Sequence, residues 1–100
     1  MRYQLVFKFK GDSLTEYEIV SLLDALLDGL GDTADIDGLH VGSATNIFIF
    51  TADPQGTFER AKAILETKHQ MDELAVANRP VKGKRYTVIW PEGQKRDTDF

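Results

Sequence analysis

The chain has 100 residues and no cysteine. Disulfides, Cys-ligated zinc, iron–sulfur clusters and thiol nucleophiles are excluded together, and the absence fits a reducing compartment. No stretch approaches the roughly 18 apolar residues of a membrane span. The opening Met1-Arg2-Tyr3-Gln4-Leu5 lacks the apolar run and cleavage site of a signal peptide. A cytoplasmic protein without membrane contact is expected. The glycines are scattered, with no GxGxxG or GxxxxGK, so the common phosphate-cradling signatures are missing. Basic residues are missing from Gly11 to His40, where eight acids stand: Asp12, Glu16, Glu18, Asp24, Asp28, Asp32, Asp35 and Asp37. Such a field repels nucleic acid and favours basic partners. A solvated helix face that keeps the chain soluble is the simpler account of the same acids.

What is present reads as one domain. The hydrophobic fraction of 42% and the charged fraction of 28% are those of a globular protein. Tyr3, Leu5, Phe7 and Phe9 alternate with Gln4, Val6, Lys8 and Lys10, which predicts a strand with one buried face. Ser13-Leu14-Thr15-Glu16 fits a capping box with Ser13 as the N-cap. Tyr17, Val20, Leu23, Leu27 and Leu30 then predict the apolar stripe of a helix, widened by Ile19, Leu22 and Leu26. Gly29 and Gly31 supply its stop.

An acidic loop from Asp32 to Asp37 leads into a second strand over Ile36–Val41. A turn at Gly42–Thr45 follows, and then a third strand, Ile47-Phe48-Ile49-Phe50-Thr51. The third strand is apolar on both sides, as a central strand is. Asp53-Pro54 starts a second helix, with the aspartate as cap and proline at the first helical position. Phe58, Ala61, Ile64 and Leu65 give its buried stripe, and it runs to about His69. Residues 71–78 fit either an extension of that helix or a separate turn, and Arg79-Pro80 ends any helix there. Lys84–Trp90 is the last strand, with Tyr86, Val88 and Trp90 on one face and Thr87 and Ile89 on the other.

The order βαββαβ is the split βαβ arrangement. It predicts a ferredoxin-like α+β fold over residues 1–92, with a flexible tail over 93–100. Four antiparallel strands carry two helices on one face, the first and third strands lie in the middle, and the other face is bare. If Leu5, Phe7 and Phe9 face the helices, then Gln4, Val6 and Lys8 face outward. They are joined there by residues from the third and last strands in a mixed apolar patch. Such patches mark interfaces or ligand sites, and a homodimer through the open sheet face buries this one most simply.

The run Asp37-Gly38 through Val41-Gly42-Ser43, then Asn46-Ile47-Phe48-Ile49, Thr51, Asp53-Pro54 and Thr57-Phe58, resembles a small uncharacterised bacterial family of about this length. The closing Tyr86-Thr87-Val88-Ile89-Trp90-Pro91 is similar to how those chains end. The resemblance covers most of residues 2–92 and implies a bacterial source, but no activity. Its residues have structural readings: Gly38 and Gly42 for turns or close backbone approach, Asn46 for closing the hairpin, and Asp53-Pro54 for the cap.

Catalytic chemistry finds little support. With Gly38 at the sixth position of a calcium loop, the first and twelfth positions fall on Thr33 and Ala44, and the pattern fails. His40 and His69 form no metal-ligand pair, and His69 fits a dipole complement at a helix C-terminus. His40, Ser43 and Asp37 lack a nucleophile elbow. The basic-aromatic signature of RNA-recognition modules is missing. No catalytic residue, metal or cofactor is assigned.

Two function classes follow. The first is a non-enzymatic interaction or regulatory module, in which Asp24, Asp28, Asp32, Asp35 and Asp37 meet a basic protein partner. An immunity-type protein blocking a basic nuclease-type toxin is one concrete form. The second is a small ligand-binding protein or enzyme of the dimeric ferredoxin-like, monooxygenase style. In that class His40, Asn46, Tyr86 and Trp90 would orient a substrate in a cleft between sheet and helices. His40, Ser43, Asn46 and Trp90 are thus candidates for a ligand or turn site.

Overall fold

The computed structural model describes residues 2–10, 14–31, 34–42, 44–68, 74–83 and 85–90. The elements are β1 (Tyr3–Lys10), α1 (Glu16–Leu30), β2 (Ala34–Val41), β3 (Ala44–Thr51), α2 (Pro54–Thr67), β4 (Leu74–Pro80) and β5 (Thr87–Trp90). The strands form one antiparallel sheet in the order β2-β3-β1-β4-β5. The protein is α+β, as expected, but the described residues form five strands where four were predicted. The added strand is β4, in the region read as helix or turn. Leu74 and Val76 point to the core, while Ala75 and Ala77 lie opposite Lys8 and Val6 of β1. Alanine favours helix locally, but pairing along β1 decides the outcome. Ser13, His69, residues 71–73 and the tail expected over 93–100 lie outside the described residues.

One core holds the layers together. Leu5, Phe7 and Phe9 of β1, Ile47 and Ile49 of β3, and Leu74 and Val76 of β4 pack with Leu22, Leu26 and Leu30 of α1 and Phe58, Ala61 and Leu65 of α2. Both helices therefore share the face of the sheet on which the odd residues of β1 project. α2 lies over β1, and its Phe58 ring centroid is 6.4 Å from Phe7 and 6.1 Å from Trp90 of β5. α1 lies beside α2 and against β2.

The first helix differs from its prediction in two ways. Its N-cap is Thr15 rather than Ser13: the Thr15 hydroxyl accepts from Glu18 N–H at 3.1 Å, and the Glu18 carboxylate accepts from Thr15 N–H at 3.0 Å. Both Ser13–Glu16 and Thr15–Glu18 fit the sequence pattern. The second places Leu14, packed against the core, before the cap and the buried Ile19 at the fourth helical position, the two positions of a hydrophobic staple. The buried stripe is Ile19, Leu22, Leu26 and Leu30, whereas Tyr17, Val20 and Leu27 are exposed. Gly31 ends the helix at φ 56°, and its N–H donates to the Leu27 carbonyl. Gly29 instead lies inside α1, where it faces Ile64 of α2.

Gly38 is also not a turn residue. It stands inside β2 opposite Phe48, and a Cβ there would meet open space. The register of β2 shifts between Ile36 and Gly38, which makes Asp37 the bulge. A second shift in β5 undoes the predicted alternation: Val88 pairs with Ala77 and Trp90 with Val76, so Trp90 joins the helix-side core rather than the face of Val88.

The entry to α2 is as predicted, with Asp53 Oδ1 accepting from Gly56 N–H at 3.1 Å. Behind it the buried hydroxyls of Thr51 and Thr57 lie 2.7 Å apart, and Thr51 Oγ1 also accepts from Asp53 N–H at 3.0 Å. Thr51→Val therefore strands two polar groups and is expected to lower the unfolding free energy by about 1–3 kcal/mol. Thr57→Val is expected to cost less, because Asp53 N–H keeps its acceptor. Urea unfolding of both variants measures the difference, and an equal or larger loss in Thr57→Val would contradict this network.

Candidate functional site at the α1–β2 corner

The two faces of the sheet differ in how their apolar atoms are covered. On the outer face, Gln4, Val6 and Lys8 of β1 stand opposite Phe50, Phe48 and Asn46 of β3, and opposite Arg79, Ala77 and Ala75 of β4. Val6 and Ala77 are buried at 3% and 0% exposure. Arg2 lies over the Phe50 ring at 5.4 Å and pairs with Asp35 at 2.7 Å. Arg79 lies over the Tyr86 ring at 5.5 Å and donates to the carbonyls of Val81 and Gly83 at 3.1 and 3.0 Å. The Tyr86 hydroxyl donates to Gln4 Oε1 at 3.1 Å. The face expected to be bare is thus laced by its own side chains. A cavity of about 370 Å³ lies where the β4–β5 connection meets the start of β1, lined by Arg2, Pro80, Val81 and Lys82.

Exposed apolar atoms gather elsewhere. Tyr17, Val20 and Leu27 of α1 are 82%, 59% and 59% exposed, and Leu39 and Val41 of β2 are 42% and 59% exposed. Leu39 pairs with Ile47 and Val41 with Thr45, both buried on the helix side, so Leu39 and Val41 lie in the same layer as α1. At about 3.6 residues per turn, Val20 and Leu27 fall on the flank of α1 away from Ser21 and Gly29. Those two residues face α2, through the Lys68 ammonium at 3.0 Å and through Ile64. The free flank of α1 therefore overhangs β2. β1 and β2 run the same way, each antiparallel to β3, and α1 returns from the end of β1. The start of α1, with Tyr17 and Val20, accordingly sits at the Leu39–Val41 end of β2.

The acids predicted as one surface are divided. Asp24 and Asp28 are exposed on α1, beside the apolar stripe. Asp35 lies across the sheet from them, in the ion pair with Arg2, and Asp37 occupies the exposed bulge. Asp32 lies outside the described residues. Of the second predicted group, His40 and Asn46 are paired neighbours on the outer face, and His40 is exposed. Trp90 is on the helix side near the opposite edge, under the Lys62 ammonium at 4.7 Å, and Ser43 lies outside the described residues. His40, Asn46 and Tyr86 therefore do not meet Trp90 in one cleft. Asn46 is a strand residue and does not close the hairpin.

Sequence reasoning treated Tyr17, Val20 and Leu27 as core and missed them as surface. The signal was an excess of apolar residues around the whole helix. Among the described residues, no group of three or more His, Asp or Glu side chains is placed to hold a metal ion. No described helix is long and apolar enough to cross a membrane.

The Arg2–Asp35 pair is solvent-exposed on both sides, at 54% and 73%. Arg2→Ala and Asp35→Asn are each expected to change the unfolding free energy by less than about 1 kcal/mol, as read from urea midpoints. A loss well above that would make the pair a structural lock rather than a surface contact. Comparison with known proteins adds no relative: no family model, no curated protein and no solved structure matches the chain.

Proposed function

We propose that the protein is a non-enzymatic interaction module that holds a basic, partly apolar protein partner at the α1–β2 corner. The observation that carries this reading is the exposure of Tyr17, Val20 and Leu27 on α1 and of Leu39 and Val41 on β2, two elements in contact that carry acids and no lysine or arginine. Apolar groups left in water at one place are a docking surface more often than a solubility device. The charge around them selects the partner. Glu16, Glu18, Asp24, Asp28 and Asp37 stand on α1 and β2, neither of which carries a lysine or arginine, whereas Asp35 lies across the sheet and is held by Arg2. An acidic or neutral partner gains nothing from that field, whereas a basic one is steered by it. An immunity-type protein that masks a basic toxin is one module of this kind.

The fold supports the reading. We read the order β2-β3-β1-β4, with a helix after β1 and another after β3, as a variant of the ferredoxin-like plan in which β5 is added past β4. A second copy of the chain on the outer sheet face is the competing occupant. That face is already spanned by Arg2, Arg79 and Tyr86, and the four most exposed large apolar side chains, Tyr17, Val20, Leu27 and Val41, lie on α1 and β2, with Val81 apart from them.

Selection from a random peptide library tests the proposal. The wild-type protein is expected to enrich sequences that combine Lys or Arg with Val, Ile, Leu or Phe. Val20→Ser/Leu27→Ser and Asp24→Asn/Asp28→Asn are expected to lose that enrichment, while Glu66→Gln on α2 keeps it. Binding should weaken as salt rises from about 0.15 M toward 1 M, where the screening length falls from about 8 to 3 Å. Enrichment of acidic or uncharged peptides, or enrichment unchanged in both double variants, would overturn the proposal.

A further inference from the structure

We infer that the partner enters the corner as an extended strand added to the free edge of β2, through a segment that alternates apolar and basic residues. The inference rests on the interaction reading above and specifies its mode. β2 is the terminal strand of the sheet on its side, and among the described residues no strand pairs with its outer edge. A terminal strand presents a row of backbone N–H and C=O groups to any chain that can lie beside it. β2 spans eight residues, whereas the other edge, β5, spans four. The bulge at Asp37 leaves Gly38–Val41 as a regular paired stretch, which is where the uncovered Leu39 and Val41 lie.

The side chains around this edge dictate what a new strand must carry. Its residues on the helix side would lie beside Leu39 and Val41 and below the overhanging Val20 of α1, so they must be apolar. Residues on the other side would lie beside His40 and the exposed Asp37 bulge, whereas Asp35 is already held by Arg2 at 2.7 Å. Those residues are best basic. Side chains alternate between faces along a strand, so the segment reads apolar, basic, apolar, basic.

The same charges argue against a second copy of this chain. A β2–β2 pairing centred on the Asp37 bulge would bring the two Asp37 carboxylates together, and like charges across a strand pair are destabilising. The acidic bulge therefore disfavours self-pairing in that register and admits a basic strand, which is specificity by repulsion as well as attraction.

The experiment titrates isotope-labelled protein with three peptides, each as long as β2. One alternates valine and lysine, one has the same residues in two blocks, and one is the alternating sequence N-methylated on every second residue along one backbone edge. The alternating peptide is expected to bind, to slow hydrogen exchange of β2 amides, and to place its valines within nuclear Overhauser distance of Leu39 and Val41. N-methylation on the pairing edge is expected to weaken binding by roughly tenfold or more, with no change to the protein itself. Equal affinity for the alternating and blocked peptides, or no effect of N-methylation on either edge, would overturn strand addition. Binding that depends on Val20 and Leu27 without protection of β2 amides would overturn the mode and leave the interaction reading standing. No binding by any basic, apolar peptide would overturn both. Sedimentation showing a dimer dispersed by Leu39→Lys would make the occupant a second copy and also overturn the inference.

Discussion

The structure depends on the burial of one side of β1. Leu5, Phe7 and Phe9 lie at the centre of the sheet, between β3 and β4, and meet both helices in a single core. Each large side chain so placed contributes on the order of 1.5–3 kcal/mol, and its loss would be felt on every neighbouring element. This layer also sets a limit. A helix packed on a sheet buries one stripe, and α1 has more apolar residues than a stripe can use. Of its fifteen residues, Tyr17, Ile19, Val20, Leu22, Leu23, Leu26, Leu27 and Leu30 are large and apolar. Contact with α2 through Gly29 and Ser21 fixes the rotation of the helix. Ile19, Leu22, Leu26 and Leu30 then fall inward, and Tyr17, Val20 and Leu27 remain in water.

The surplus acquires meaning from where it falls. α2 covers β1 and reaches β5 through Phe58 and Trp90. α1 is left to cover the β2 side, and it does not reach Leu39 or Val41. The uncovered helix flank therefore lies toward the uncovered strand end, on two elements that carry acids and no lysine or arginine of their own. In the proposed interaction module, the exposed apolar atoms would supply affinity and the acids would decide which partner approaches. On the outer face the same kinds of residue are arranged differently: guanidinium groups over Phe50 and Tyr86 shield the rings within the chain itself.

Much of this architecture was legible in the sequence. The alternation through Phe9, the Asp53-Pro54 cap and the apolar third strand are local patterns, and local physics enforces them. The failures share a cause in long-range pairing. Leu74-Ala75-Val76-Ala77 is ambiguous alone and becomes a strand because β1 has an open edge for it. Trp90 changes face because of a bulge that no local pattern marks. The stripe on α1 could not be assigned from periodicity, since nearly every face of that helix carries an apolar residue. As for the site, the acidic character of the region was visible at once. The separation of Asp35 from Asp24 and Asp28 was not, because it depends on which side of the sheet each element occupies.

The most direct test of this account is the unfolding free energy of Tyr17→Ser/Val20→Ser/Leu27→Ser, measured by urea denaturation. If these side chains are surplus to the core, the triple variant stays within about 1 kcal/mol of the wild-type protein, as exposed substitutions do. A loss comparable to truncating a core leucine, about 2–5 kcal/mol, would place the stripe inside the folded core and contradict the docking surface.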